Sequence, residues 1–141
     1  MENPGFASSA DKLVLIVDDE KGIRELLEIV VRREGFRAEL SEDGEDALNK
    51  ARTLSPDIII LDLMLPKSGG FEVLHELQAE ETANIPIIVI TGRNMDRSTA
   101  DMIRREANVR EYIEKPLKTE VLAARLHQLL KTRPPARKPG K

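Results

Sequence analysis

Five short apolar runs, each followed by a segment of helical period, constrain this chain more than any other feature. The runs are Leu13 to Val17, Phe36 to Leu40, Ile58 to Leu61, Ile87 to Ile90 and the short Glu111 to Ile113. Two of them, Ile58-Ile59-Ile60-Leu61 and Ile87-Ile88-Val89-Ile90, are apolar at every position. A strand with no polar face must be covered on both sides, which is the condition of a parallel sheet packed between helices. The expected fold class is therefore α/β, a doubly wound parallel sheet of five strands flanked by five helices.

The helical segments carry matching stripes. Ile23, Leu26, Leu27, Val30 and Val31 share one face before Gly35 ends the first helix. Ser41 or Asp43 is placed to cap a second helix with Ala47, Leu48 and Ala51 inward, and Ser55-Pro56 breaks the chain before the third strand. Gly69-Gly70 opens a helix with Phe71, Val73, Leu74 and Leu77. The fourth, from Asp96 to Ala107, has the poorest stripe, Ala100, Ile103 and Ala107, while the last, from Thr119, offers Leu122, Leu126, Leu129 and Leu130.

Length bounds the organisation, because 141 residues suit one domain. Residues 12–132 are assigned to it. Residues 1–11, with Pro4, Gly5 and two serines, read as a flexible segment, and residues 133–141 as a basic, proline-rich tail or linker. The chain holds no cysteine, which excludes a disulfide framework, a thiol nucleophile and a cysteine-ligated metal. No apolar run approaches the roughly 20 residues that span a bilayer, and no signal peptide opens the chain, so a soluble, cytoplasmic protein without membrane contact is expected. The net charge of −3 argues against general nucleic-acid binding, which depends on Lys and Arg neutralising phosphates.

Chemistry gathers where the strands end. Asp18 and Asp19 follow the first, Asp62 the third, Thr91 the fourth and Lys115 the fifth. All five reach the carboxyl edge of the sheet, where ligands bind in open parallel sheets, and a strand order of 2-1-3-4-5 would make them one arc. Three carboxylates against one ammonium leave such a pocket near −2, which calls for a divalent cation. Oxygen ligands with room for water and phosphate suit Mg2+.

These pieces, Val17-Asp18-Asp19-Glu20, Leu61-Asp62-Leu63-Met64-Leu65-Pro66 with Gly69-Gly70, Thr91-Gly92 and Tyr112-Ile113-Glu114-Lys115-Pro116, resemble the receiver domain of two-component response regulators from Leu13 to Leu130. The resemblance implies a flavodoxin-like sheet of order 2-1-3-4-5 and a signalling switch in place of a classical enzyme. Asp62 would accept a phosphoryl group from a sensor histidine kinase or phosphotransfer protein. It also implies Mg2+ on Asp19, Asp62 and the main-chain carbonyl of Met64, with Asp18 acting through water, and a cis peptide between Lys115 and Pro116. Thr91 and Tyr112 would be the switch pair, altering the surface of the fourth helix, fifth strand and fifth helix for a downstream protein or a phosphorylation-dependent homodimer.

Other readings have their own signatures. An aspartate-nucleophile phosphatase carries a second aspartate two residues after the nucleophile as general acid, and here that position is Met64. A nucleotide-binding domain needs a glycine-rich phosphate loop after the first strand, and Asp18-Asp19-Glu20 stands there. A receiver-like module working without phosphorylation remains the alternative. His75 and His127 are expected at the surface, and arginines 93, 97, 104, 105 and 110 on a solvated face.

Overall fold

The computed structural model describes residues 6–64, 69–92, 97–106 and 108–135. After a 3-10 turn at Ser9–Asp11, strands and helices alternate: β1 (Leu13–Val17), α1 (Lys21–Arg33), β2 (Arg37–Ser41), α2 (Gly44–Leu54), β3 (Ile58–Asp62) and α3 (Gly69–Glu76). The second half adds β4 (Ile87–Thr91), α4 (Arg97–Arg104), β5 (Val109–Glu114) and α5 (Thr119–Leu130). All the strands pair in parallel, in the order β2-β1-β3-β4-β5. The doubly wound sheet and its expected order are thus observed.

Strand alternation divides the core. Val14, Ile16, Ile58, Ile60, Ile88 and Ile90 face one cluster with Leu27, Val30 and Val31 of α1 and Leu122, Leu126 and Leu130 of α5. Leu15, Val17, Ile59, Leu61, Ile87 and Val89 face the other, with Ala47 and Ala51 of α2, Val73 and Leu74 of α3 and Ile103 of α4. Each buried aliphatic side chain contributes about 1.5 to 3 kcal/mol by leaving water, so the central strands anchor the fold from both faces. Polar residues can then be carried at their ends.

Local signals set the boundaries. Asp43, not Ser41, caps α2, its carboxylate accepting the Asp46 N–H at 2.8 Å. Ser41 closes β2 and donates its hydroxyl to Asp46. Gly35, at φ 94°, turns the chain after α1 and lets the Phe36 N–H reach the Val31 carbonyl. In the β4 and β5 ladder, Ile87 pairs with Val109 but Ile88 pairs with Glu111, leaving Arg110 as an inserted residue.

Several expectations need correction. Leu26 and Phe71, placed on buried stripes, are exposed, because the sheet covers only part of α1 and α3. α4 is shorter than expected. His127 is buried, not superficial: its ring packs on Phe36 and lies between Glu34 and Thr132. His75 is exposed as expected. Ala7 forms an isolated parallel bridge with Thr132, and Ser9–Asp11 form the 3-10 turn. Expectations for residues 1–5, Leu65, Pro66, Arg93, Ala107 and the tail beyond residue 135 lie outside the described residues. No described helix is long and apolar enough to cross a membrane.

Candidate functional site

The parallel register brings the predicted residues together. Asp18 follows β1 and is fully buried, with its N–H donating to the Ser41 carbonyl of β2 at 3.1 Å. Its Oδ1 accepts the Glu20 N–H at 2.9 Å, while its Oδ2 is buried without a hydrogen-bond partner. Asp19 is exposed beside it. Carboxylate oxygens of Asp18, Asp19 and Asp62 all lie within 4.8 Å of one another.

Asp62, the last residue of β3, is 3% exposed, and both its oxygens are held. Oδ1 accepts the Met64 N–H at 2.9 Å, so the turn after β3 folds around the carboxylate. Oδ2 accepts from Lys115 Nζ at 3.0 Å. Lys115 reaches it because its N–H donates to the Thr91 carbonyl at 2.8 Å, continuing the β5 ladder, and because the Lys115–Pro116 peptide is cis. Gly70 packs against this turn, and its N–H donates to the Leu63 carbonyl at 3.2 Å. A β-carbon there would stand 2.3 Å from the Leu63 Cα, so glycine permits the close approach.

Thr91 is fully buried at the end of β4, and its side chain interacts with the half-buried Tyr112. The Arg104 guanidinium covers the Tyr112 ring at 4.6 Å from its centroid, linking α4 to β5. The Met64 side chain is largely exposed.

Electrostatics follow from burial and crowding. Burial pushes the Asp18 carboxyl up to about 6; the Glu20 N–H opposes this, Asp62 adds to it and Lys115 counters it. Burial lowers the Lys115 pKa, but the hydrogen bond and charge of Asp62, with Asp18 and Glu20, outweigh it and raise the group overall. Tyr112 is raised by burial and by Glu114, against the opposing Arg104 and Thr91. The lysine therefore stays a cation beside acids that repel one another.

This donor set fits a hard divalent cation. The buried Asp18 oxygen has no donor of its own, and all three acids offer oxygen at one point. Arg24, which the sequence analysis did not single out, donates to the Asp18 main-chain oxygen at 2.9 Å. The only signal for it was a cation one helical turn beyond paired acids.

A parallel sheet with paired acids, a central acid, a hydroxyl and a lysine at successive strand ends defines a receiver-type fold. Residues 14–127 match the model of the response regulator receiver domain, and the chain belongs to that family. It is a receiver domain of a two-component response regulator. It is 38% identical over 119 residues to the DNA-binding response regulator MtrA of Mycobacterium tuberculosis H37Rv, covering 84% of this chain and 50% of that protein. The alkaline phosphatase synthesis transcriptional regulatory protein PhoP of Bacillus subtilis 168 is 36% identical over 121 residues, covering 86% of this chain and 49% of its own. The chain spans about half the length of these curated relatives.

Solved structures agree. A response regulator from Chloroflexus aurantiacus aligns with TM-score 0.76 and 30% identity over 85% of this chain and 98% of its own. The receiver domain of a sensor histidine kinase from Pseudomonas aeruginosa PAO1, with a magnesium ion coordinated in its active-site cleft, aligns with TM-score 0.76 and 25% identity over 89% of this chain and all of its own.

Proposed function

We propose that Asp62 is the phosphoacceptor of this receiver, taking a phosphoryl group from the phosphohistidine of a sensor histidine kinase or phosphotransfer protein in a Mg2+-dependent reaction. The observation that carries the reading is the contact of Lys115 Nζ with Asp62 Oδ2 at 3.0 Å beside a three-acid cluster. Asp19, Asp62 and the Met64 main-chain carbonyl would hold Mg2+, with Asp18 acting through water. The ion supplies charge neutralisation for the incoming phosphoryl group.

In the transfer, an Asp62 oxygen forms a bond to phosphorus as the phosphorus to nitrogen bond of the donor histidine breaks. The bond's electron pair stays with the departing imidazole. A carboxylate needs no general base, in keeping with a cluster built from acids and one lysine. Lys115 neutralises charge on the phosphoryl oxygens, and its ionisation is favoured by the surrounding acids.

The Thr91 hydroxyl is then placed to donate to a phosphoryl oxygen. Its present interaction with Tyr112, and the Arg104 contact with that ring, connect the pocket to α4 and β5. Movement of Thr91 and Tyr112 would thus change the surface of α4, β5 and α5 for a downstream protein or a second copy of the chain. The proposal assigns switching to this chain and does not assign it nucleic-acid binding.

The test is intact-mass measurement after incubation with acetyl phosphate and MgCl2, for the wild type and Asp62→Asn. One phosphoryl adduct is expected on the wild type, lost in the variant and without Mg2+. A folded, Mg2+-binding wild type that forms neither this adduct nor a beryllofluoride complex would overturn the reading in favour of an interaction module that works without phosphorylation.

A further inference from the structure

Arg24 lies in the second turn of α1 with a side chain that is only 14% exposed. Its Nη1 donates to the Asp18 main-chain oxygen at 2.9 Å, and its Nη2 lies 3.8 Å from Glu42 Oε2 in the connection between β2 and α2. The guanidinium therefore grips the backbone of the acidic turn. Its contact is with a carbonyl and not with a carboxylate of the cluster.

That carbonyl belongs to the planar peptide joining Asp18 to Asp19, so fixing its direction fixes the plane from which Asp19 projects. The surrounding turn is already restrained by the Asp18 N–H to the Ser41 carbonyl and by the Glu20 N–H to Asp18 Oδ1. Arg24 adds a restraint from the helix side, and its own N–H donates to the Glu20 carbonyl at 2.9 Å. A water molecule could satisfy the same carbonyl oxygen, but it would not tie it to α1. The rigid guanidinium fork supplies direction as well as a donor.

We propose that Arg24 is a positioning residue for the metal-holding turn: by donating from α1 to the Asp18 carbonyl, it sets the peptide plane that delivers Asp19 to the acid cluster. The cluster's affinity for a divalent cation depends on that orientation. This rests on the reading of Asp18, Asp19 and Asp62 as the Mg2+ site. Outer partners that orient metal ligands are typically worth about 10 to 100-fold in affinity. Arg24 itself touches neither the ion nor the phosphoryl group.

Charge and geometry predict opposite signs here. Removing a cation near three acids would, through Coulomb's law alone, tighten binding of Mg2+. Weaker binding after loss of Arg24 would therefore isolate its orienting role.

The experiment uses the full chain as wild type, Arg24→Ala, Arg24→Lys and Glu42→Gln, titrated with MgCl2 by calorimetry. Amide hydrogen exchange over residues 18–24 and thermal melting are measured in EDTA. Arg24→Ala is expected to weaken Mg2+ binding about tenfold or more. It should also speed metal-free exchange at Asp19 and Glu20 while keeping a cooperative melt. Arg24→Lys should fall between Arg24→Ala and the wild type, since it keeps a donor but loses the fork, and Glu42→Gln should change little because that side chain is 72% exposed.

Mg2+ affinity in both Arg24 variants that is tighter than, or within about twofold of, wild type would overturn the proposal. If Arg24→Ala does not fold, Arg24→Lys and Arg24→Met carry the same criterion. A wild type that binds no Mg2+ would overturn the metal-site reading together with this inference, whereas wild-type-like variants would overturn only the role of Arg24.

Discussion

Nε2 of His127 lies 2.9 Å from Oε1 of Glu34, joining the end of α5 to the residue after α1 across 93 positions of chain. Nδ1 of the same ring is 2.7 Å from the Thr132 hydroxyl, and all three side chains are buried. His127→Ala should cost about 2 to 4 kcal/mol, because a buried carboxylate loses its imidazole and a cavity opens beside Phe36. Urea denaturation would measure this. Labelling of the folded variant by acetyl phosphate should match the wild type, since the acid cluster lies at the opposite edge of the sheet.

The Asp18 carboxyl sets a pH dependence whose sign depends on the metal. Its folded pKa of about 6 lies above the ordinary 3.8, so the metal-free fold binds this proton more tightly than the unfolded chain does. The contribution of this group to stability should therefore fall as pH rises from about 4 to 6 and stay low above that. Thermal melts in EDTA should show the trend, and Asp18→Asn should flatten it. Mg2+ competes with the proton, so its affinity should weaken as pH drops below about 6.

Lys115→Met removes the cation from Asp62 while keeping most of the side-chain length. Acetyl phosphate labelling should slow by about 100-fold, the scale of losing a preorganised electrostatic contact. Mg2+ binding should be retained or tightened, because the cluster becomes more negative. Rapid-quench labelling and calorimetry separate the two effects.

Gly70→Ala forces the backbone of Leu63 to move, since the new carbon would meet its Cα at 2.3 Å. Leu63 lies between Asp62 and Met64, so the strain falls on the turn that folds around the Asp62 carboxylate. A stability loss of about 1 to 3 kcal/mol is expected, with weaker Mg2+ binding. Denaturant melts with and without MgCl2 would report both.

Most of the site was legible because a parallel sheet converts the chain position of a strand end into a place in space. Ile58 to Leu61 and Ile87 to Ile90 announced buried strands, and Asp62 and Thr91 had to emerge at their ends. The contact between Lys115 and Asp62 crosses 53 positions: strand ends put both residues at one edge of the sheet, but periodicity says nothing of a direct bond between them. Arg24 and His127 were missed for a physical reason. A helical cation or imidazole looks solvated until the packing partner of its face is known, and here those partners are the Asp18 carbonyl and Glu34. Leu26 erred the other way, since an apolar residue at stripe spacing need not fall under the sheet.

The inserted Arg110 has a consequence for tolerance to length change. Val109 and Tyr112 stand three residues apart yet pack against the same core cluster, which strict alternation would not allow. The ladder regains its phase downstream, where Tyr112 pairs with Val89 and the Lys115 N–H meets the Thr91 carbonyl. The strand thus contains an expansion joint: a residue gained or lost near its start can be taken up there, while the lysine at its far end keeps its address.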